Sequence, residues 1–327
     1  MTLTKKNYNN PVAATVTGIL DLFRKQVPAG VLKATDRLEG KQVLVDGSSS
    51  GLGYAVAMDC ARRGARVIMA CRSGIPEKGE TIRRMTGNPN VSMVPVDFAD
   101  IRSINHLTET LKNDFPPSDI IICNAGIVPK KSRQTPQGLE EMFMVNYFSK
   151  FIFINELLEK GCLNQTAGIP RILFVASESH RNPESFNWDS FGLYREYTIG
   201  KSIELYGYYK LLLTTFAAEL SRKLNPDGSV HYSVFALCPG PINSNIGREA
   251  PAVFQPLLKL VFGLFFRSPE KAAVPVMYLA ASPDMEGKPF DYLFLMNRRL
   301  IDEKAADPAN GKRLWNLSEE LLQRLQS

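Results

Sequence analysis

The stretch that begins at Gln42 constrains the fold of this chain more than any other. An apolar run, Gln42 to Val45, precedes a loop whose glycines are spaced as Gly47, Gly51 and Gly53. Glycine lacks a Cβ atom, so such a loop can turn sharply and bring bare backbone close to a pyrophosphate. The residues after Gly53 have helical spacing, which would place the free N–H groups of a helix N-terminus beneath the phosphates. The pattern predicts a strand, a loop and a helix that together bind a dinucleotide.

Apolar segments alternate with helical patterns along most of the chain. They predict strands at 42–46, 66–70, 91–96, 120–123, 171–175, 231–237 and 292–295. This alternation predicts an α/β fold, a single Rossmann-type doubly wound parallel sheet with helices on both faces. Residues 40–327 are expected to form this one domain, and residues 1–39 an N-terminal extension.

The end of the second strand indicates which dinucleotide is bound. A site for the unphosphorylated cofactor usually carries an acidic residue here, which accepts a hydrogen bond from the ribose 2′-hydroxyl. This chain has Cys71 and Arg72 instead. A guanidinium can pair bidentately with a 2′-phosphate and stack on adenine, so the sequence favours NADP(H) over NAD(H).

A tyrosine and a lysine four residues apart in a helical segment, Tyr206 and Lys210, predict proton transfer. Reduction of a carbonyl needs a hydride at carbon and a proton at oxygen, and free tyrosine, with a pKa of about 10, is poorly tuned for this near neutral pH. A lysine one helical turn away would stabilise the phenolate and lower that pKa. Ser177, after the strand at 171–175, would polarise the carbonyl oxygen, and Asn146 would position a water that connects Lys210 to solvent.

From about Gly40 onward the chain resembles the short-chain dehydrogenase/reductase family. The details resemble its retinol-dehydrogenase-like branch, which includes relatives of protochlorophyllide reductase. The matching residues are Gly47, Gly51, Gly53, the strand end Ala70-Cys71-Arg72, Asp97, Cys123-Asn124-Ala125-Gly126, Asn146, Ser177, Tyr206, Lys210 and Pro239-Gly240. The resemblance implies a Rossmann fold and a hydride-transferring enzyme.

The same resemblance implies roles for individual residues. Its catalytic tetrad would be Asn146, Ser177, Tyr206 and Lys210. Its cofactor-binding set would be Gly47, Ser49, Ser50, Gly51, Leu52, Gly53, Arg72, Asp97, Phe98, Asn124, Ala125, Gly126, Tyr206, Lys210, Pro239, Gly240, Ile242 and Ser244, with Asp97 near the adenine. No metal is implied.

Two departures from the family pattern stand near the predicted site. Asp46 occupies the position where the family usually has threonine, and its carboxylate would repel a phosphate unless it turns inward to backbone N–H groups or is protonated. The run Tyr147-Phe148-Ser149-Lys150 replaces a His-containing run that is frequent in retinol-dehydrogenase relatives.

Composition bears on the compartment and the partners. The chain has 327 residues, 44% hydrophobic and 22% charged, enough for a substantial core. Its five cysteines are scattered without metal-ligand spacing, which predicts reduced core residues and neither disulfides nor zinc. A net charge of +6 without a basic run interleaved with aromatics argues against a nucleic-acid partner. The expected location is cytoplasmic, with peripheral membrane contact left open, and the resemblance implies a homodimer or a homotetramer without selecting one.

Three further segments leave alternatives open. Five aromatic residues between 186 and 197 could line an apolar substrate pocket or simply pack the loop. The apolar run 252–266 could be a lid, an interfacial helix, a dimer contact or a buried helix. Residues 11–23 predict a short amphipathic helix, for which packing on the domain is favoured over a membrane surface.

The expected function is that of an NADP(H)-dependent oxidoreductase. It would interconvert a small apolar aldehyde or ketone, such as a retinoid, steroid, fatty or terpenoid compound, and its alcohol, with Tyr206 as acid and base. The alternatives are a light-dependent double-bond reductase resembling protochlorophyllide reductase, and a non-catalytic NADP(H)-binding regulatory or scaffold protein.

Overall fold

The computed structural model describes residues 28–241 and 267–326, and one parallel sheet runs through them. Its strands are β1 (Gln42–Asp46), β2 (Arg66–Cys71), β3 (Val91–Pro95), β4 (Ile120–Cys123), β5 (Arg171–Val175), β6 (Ser233–Cys238), β7 (Phe290–Phe294) and β8 (Asn297–Arg298). They lie in the order β3-β2-β1-β4-β5-β6-β7-β8, and every neighbouring pair is parallel except β7 with β8. The predicted doubly wound sheet is confirmed, and the short antiparallel β8 is an addition to it.

Helices cover both faces of this sheet. They are α1 (Gly51–Arg62), α2 (Glu77–Thr86), α3 (Ile101–Asp114), α4 (Glu141–Phe143), a π-helical turn (Met144–Phe148), α5 (Ser149–Glu159), α6 (Ile199–Leu224), α7 (Pro269–Ala281), α8 (Glu303–Ala306) and α9 (Pro308–Gln326). Side-chain chemistry fixes several ends: the Asp100 carboxylate accepts from the Arg102 N–H at the start of α3, and Gly87, with φ +71°, ends α2.

The central strand, β1, is packed between two hydrophobic layers, one on each face of the sheet. Val43 and Val45 join one hydrophobic layer with α1 and α7, whereas Leu44 joins the opposite layer with α3, α5 and α6. Successive side chains of a strand point to opposite faces, so a strand covered on both faces has no polar position to spare. All five residues of β1 are buried accordingly.

The strand order also fixes where a ligand can enter. The chain runs outward from β1 to β3 and then returns to place β4 on the other side of β1. Loops that leave the carboxyl ends of β1 and β4 therefore diverge and leave a crevice, which is where open α/β sheets bind ligands. The glycine loop follows β1, and Asn124 follows β4.

Part of the predicted N-terminal extension packs on the far edge of the sheet. Pro28 forms an antiparallel bridge with Asn297, and the Ala29 N–H donates to the Met296 carbonyl oxygen at 2.7 Å. The Tyr278 hydroxyl donates to the carbonyl oxygen of Ala29 at 2.8 Å. Residues 1–27, including the helix expected at 11–23, lie outside the described residues, and the boundary at residue 40 stays a prediction.

The five cysteines are buried free thiols, as predicted for reduced core residues. In residues 28–241 and 267–326, no helix combines the length and the hydropathy that crossing a membrane would require. The expected location, membrane contact and homo-oligomer stay predictions.

Candidate active site

The glycine loop is closed against the segment that follows β4. Gly47 has φ +60°, and a Cβ atom there would lie only 2.8 Å from the Cα of Ala125. A Cβ atom on Gly53 would lie 2.5 Å from Asn124 Nδ2. Side chains at either position would force the two loops apart, so both glycines are needed for this close approach.

The outer side of the same loop is open, and it fits a phosphate. Gly51 begins α1 with φ +56°, and nothing lies within 4 Å of a Cβ atom built on it. Ser50 precedes the helix in extended conformation, and its side chain makes no capping hydrogen bond. Ser49 is half-buried and Leu52 is buried beneath them. The first N–H groups of α1 therefore face a space that a pyrophosphate could fill.

Asp46, which the sequence placed in conflict with a phosphate, is turned away from it. The side chain is 1% exposed, and its Oδ1 accepts from the N–H of Asn124 at 2.6 Å and from the N–H of Ala125. Its Oδ2 lies 3.5 Å from the Nζ of Lys150, which is also 1% exposed. The carboxylate is thus held inward by backbone donors and a cation, and the conflict is removed.

Arg72 and Asp97 meet at the carboxyl ends of β2 and β3. Arg72 NH1 lies 3.6 Å from Asp97 Oδ2, and the two side chains are 68% and 41% exposed. Asp97 Oδ1 accepts from the Ala99 N–H at 2.9 Å, which orients the carboxylate, while the neighbouring Phe98 is buried. The structure therefore brings together the two residues predicted for the adenine end of the cofactor.

Asn146 is fully buried in the π-helical turn between α4 and α5. Its Oδ1 accepts from the N–H of Ile127 at 2.7 Å, and its Nδ2 donates to the carbonyl oxygen of Ile127 at 2.9 Å. A Cβ atom on Gly126 would lie 3.0 Å from Asn146 Oδ1 and 3.6 Å from Lys210 Nζ. Gly126 therefore lets Asn146 and Lys210 converge, and a π turn in this position is typical of functional sites.

The other two members of the predicted tetrad lie beside Lys210. Lys210 is 3% exposed, and its Nζ donates to the Val175 carbonyl oxygen at 2.7 Å and lies 5.6 Å from the ring centroid of Tyr206. Ser177 follows β5, and its Oγ accepts from the N–H and the hydroxyl of Ser179 at 3.2 and 2.9 Å. All four residues therefore gather at the carboxyl end of the sheet.

Burial acts on both titrating groups of this cluster. It lowers the pKa of Lys210 from 10.5 to about 7, the positive charge of Lys150 lowers it further, and Cys238 and Asp46 oppose the shift. Burial also raises the pKa of Tyr206, which the hydroxyl of Ser177 lowers only in part. The sequence led us to expect a pKa for Tyr206 below its ordinary value. The structure differs because burial of the phenol is the largest influence on this pKa, while Lys210 donates to the Val175 carbonyl oxygen.

The residues just after Ser177 form a support that the motifs did not reveal. His180 is fully buried, its Nδ1 bonds to the Ser177 carbonyl oxygen at 2.7 Å, and its Nε2 accepts from the Asp302 N–H at 3.2 Å. Burial lowers the pKa of His180 to about 4, so the ring is neutral and Nδ1 carries the proton. Glu178 accepts from the Tyr292 hydroxyl at 2.8 Å. These contacts give His180 a structural role, and no sequence signal marked Glu178.

The aromatic residues between 186 and 197 pack the connection between β5 and α6. Phe191 is buried edge-on against Phe143, with ring centroids 5.1 Å apart. The hydroxyl of Tyr197 donates to the buried carboxylate of Glu140 at 2.6 Å. Trp188 stacks on the ring of another loop aromatic at 4.3 Å. These contacts are those of loop packing, and a pocket-lining role for this segment stays a prediction.

Gly240 completes the described part of the site. It has φ +83° after Pro239, and a Cβ atom there would lie 2.5 Å from Leu295 Cδ2. Ile242, Ser244 and the apolar run 252–266 lie outside the described residues. In the described part of the chain, no group of three or more His, Cys, Asp or Glu side chains is placed to hold a metal ion.

Comparison with known proteins decides the family. The family model described as short chain dehydrogenase matches residues 41–188. Retinol dehydrogenase 14 of Homo sapiens is 33% identical over 302 residues, which cover 87% of each chain. The chain belongs to the short-chain dehydrogenase family. Within this family, the similarity to retinol dehydrogenases confirms the predicted branch.

Solved structures share the fold. A Mycobacterium paratuberculosis protein of known crystal structure is 26% identical with a TM-score of 0.67, covering 90% of this chain and 98% of its own. The L-sorbose reductase of Gluconobacter frateurii, crystallised with NADPH and L-sorbose, has a TM-score of 0.60 at 20% identity, over 80% and 97% of the chains. As a short-chain dehydrogenase, the present chain is an oxidoreductase of alcohol and carbonyl groups that uses a nicotinamide cofactor.

Proposed function

We propose that this short-chain dehydrogenase is NADP(H)-dependent and interconverts an apolar aldehyde or ketone and its alcohol. The convergence of Asn146, Lys210 and Tyr206 beside Gly126 at the carboxyl end of the sheet carries the proposal. When bound, the nicotinamide supplies or accepts the hydride. The chain itself must then hold the carbonyl oxygen and move one proton to or from it.

Ser177 and Tyr206 would act directly on that oxygen. Ser177 Oγ accepts two hydrogen bonds from Ser179, and its own O–H, which bonds to Tyr206 in this structure, would turn to the substrate oxygen when a carbonyl is bound. Burial raises the pKa of Tyr206 and keeps the phenol protonated near neutral pH, so it holds the proton that reduction requires. A charged Lys210 would stabilise the phenolate that forms when this proton leaves. In the oxidation direction, the phenolate would take the proton from the alcohol.

Lys210 would resupply the proton to Tyr206. A pKa of about 7 lets this ammonium give up and regain a proton near neutral pH. Asn146, held on both sides by the backbone of Ile127, would orient a water beside Lys210. This assignment makes Lys210 and Asn146 parts of a path from Tyr206 to solvent.

Preference for NADP(H) rests on Arg72. No acidic residue ends β2, and the nearest carboxylate, Asp97, is paired with Arg72 across 3.6 Å in an exposed geometry. Exposed ion pairs contribute only about 0–1 kcal/mol, so a 2′-phosphate could replace Asp97 as the partner of this guanidinium at little cost.

An apolar substrate is supported by the relatives whose names state retinol as their alcohol. The described aromatic side chains near the site are engaged in packing, so they do not narrow this class further. A panel of retinal, fatty aldehydes, steroid ketones and terpenoid aldehydes covers it.

The first test is fluorescence titration of the purified protein with NADPH and NADH, followed by the carbonyl panel with the tighter cofactor. Tyr206→Phe should abolish turnover and leave NADPH affinity within about twofold, since it removes only the transferable proton. Tyr208→Phe is the matched control on α6, because its hydroxyl bonds to Asn187 instead. Tight NADPH binding without turnover of any carbonyl would refute the enzyme and favour a regulatory protein.

The cofactor preference has its own test. Arg72→Asp should weaken NADPH binding at least about tenfold more than NADH binding, because a carboxylate would repel the 2′-phosphate. Arg102→Asp, at another exposed arginine paired with an aspartate, is the control and should change neither affinity. Equal losses for both cofactors in Arg72→Asp would contradict the NADP(H) assignment.

A further inference from the structure

A buried ion pair lies below the site and has no part in the proton transfer described above. Asp46 ends β1, Lys150 stands in the first turn of α5, and each side chain is 1% exposed. Lys150 Nζ lies 3.5 Å from Asp46 Oδ2 and 4.3 Å from the ring centroid of Phe98. Neither Oδ2 nor Nζ has another hydrogen-bond partner, so each depends on the other for compensation of its charge.

The pair is connected to the proton-transfer residues on two sides. Through Oδ1, Asp46 holds the N–H groups of Asn124 and Ala125, immediately before Gly126. Gly126 in turn borders the amide of Asn146 and the ammonium of Lys210. On the other side, Lys150 follows Asn146 by four residues in the same continuous helix.

Simple attachment of the loop does not require such a pair. A neutral hydroxyl can accept a backbone N–H, whereas burying two charges costs several kcal/mol of desolvation for each ion before their attraction offsets it. Attachment of the loop alone therefore does not explain why the protein bears the desolvation free energy of two buried charges. What a hydroxyl cannot supply is a fixed charge of each sign beside Lys210.

We propose that Asp46 and Lys150 are a positioning pair, which fixes the segment Asn124–Gly126 against the proton-transfer centre and balances the electrostatic field on Lys210. The second half rests on the proposed function, since it gives Lys210 its proton role. Neither residue is assigned contact with substrate or cofactor.

The charges that surround Lys210 predict the direction in which its pKa should shift when either member of the pair is removed. Besides the pair, on α5 and β1, the titratable groups facing Lys210 are Tyr206 on its own helix and Cys238 on β6. Burial is the largest influence on the pKa of Lys210, Lys150 lowers it further, and Asp46 raises it. Losing Lys150 or Asp46 must therefore move this pKa in opposite directions, and losing both must raise it less than losing Lys150 alone.

The test is an NMR titration of the full chain labelled with ¹³Cε-lysine, in which the Lys210 resonance is identified by its absence from Lys210→Met. Lys150→Met should raise the pKa of Lys210 by about one unit, and Asp46→Asn, which keeps an acceptor for the backbone, should lower it by about one unit. The double variant Asp46→Asn/Lys150→Met should lie between the two single variants, and Lys150→Arg should stay near the wild type. Shifts of the same sign in the two single variants, or no shift in either, would overturn the proposal.

NADPH affinity provides the second measurement, because the same segment borders the cofactor crevice. Each single neutralisation should weaken binding about threefold to tenfold by leaving one buried charge unpaired, and the double variant should recover most of the loss. A double variant as weak as the product of the single losses would refute the coupling. If Lys150→Met does not fold, the double variant is compared with Asp46→Asn instead. Loss of Lys150 should then raise the pKa of Lys210 by the same amount.

The titration needs no turnover, so the two proposals can fail separately. Opposite shifts in a protein that reduces no carbonyl would sustain the pair and refute the enzyme. Carbonyl reduction without opposite shifts would sustain the enzyme and refute the positioning pair.

Discussion

Replacing Lys210 with methionine should remove a pH dependence of stability that this one buried amine creates. In the folded protein without cofactor, burial lowers the pKa of Lys210 to about 7 from its ordinary 10.5. Between these values the unfolded chain binds a proton that the folded chain has lost. The free energy of unfolding must then rise with pH across this window, and the full penalty for the buried charge is present only below pH 7.

The size of the effect follows from the two pKa values. One proton gives a slope that approaches about 1.4 kcal/mol per pH unit, and integration from pH 7 to pH 9 gives about 2 kcal/mol. Lys210→Met cannot show this contribution, because methionine has a similar length and no charge. The lost hydrogen bond to the Val175 carbonyl oxygen adds only an offset that does not change with pH.

Urea unfolding followed by circular dichroism, at several pH values from 6 to 9.5, measures this directly. The wild type should gain about 2 kcal/mol relative to Lys210→Met between pH 7 and pH 9. Lys201→Met is the control, because Lys201 is 53% exposed and pairs with Glu204 at the surface, so its curve should run parallel to the wild type. Parallel curves for wild type and Lys210→Met, within about 0.5 kcal/mol, would show that the folded state does not depress this pKa.

Three further predictions concern Arg171, at the amino end of β5, and His180, which supports the site. Arg171→Met should cost about 3 kcal/mol in urea unfolding, because this buried guanidinium donates to three carbonyl oxygens at the end of α7. Glu286→Gln, which removes only its 57% exposed ion-pair partner, should cost less than about 1 kcal/mol, and equal losses would contradict this account. His180→Phe should lower kcat about tenfold with NADPH affinity nearly unchanged, since it releases the carbonyl of Ser177; loss of affinity alone would argue against it. Because the folded protein holds the pKa of His180 at about 4, protonation of this residue in the unfolded chain should lower the free energy of unfolding of the wild type as pH falls from 6.5 to 4. His180→Phe should lack this decrease, and the same decrease in both proteins would refute the prediction.

The fold followed from the sequence because buried parallel strands leave little freedom in composition. The strands predicted at 42–46, 120–123 and 171–175 have the bounds seen in the structure. Each is covered on both faces, so an apolar run fills its middle and indicates where the strand lies. The last predicted strand, 292–295, starts and ends later in the chain than β7 (Phe290–Phe294). The first residues of β7, Phe290 and Asp291, are only half-buried and so gave no strong apolar signal. The two-residue β8 has no periodicity from which to predict it.

The catalytic cluster was accessible from motifs, whereas its electrostatics were not. Spacing along one helix brings Tyr206 and Lys210 together, but the acceptor that Lys210 uses, the carbonyl of Val175, comes from β5 and depends on the tertiary structure. The same is true of Asp46, whose inward orientation requires Lys150 from another element. A sequence shows that a charge is out of place, and only packing shows what compensates it.

The two outer edges of the sheet have a consequence for assembly. At one edge, β3 ends in Pro95, which has no N–H to offer an added strand; at the other, β8 has two residues and Pro28 caps it with another ring that cannot donate. At each border of the described sheet a proline thus removes one backbone donor, which weakens the addition of a further strand at that point and with it aggregation through the sheet edges.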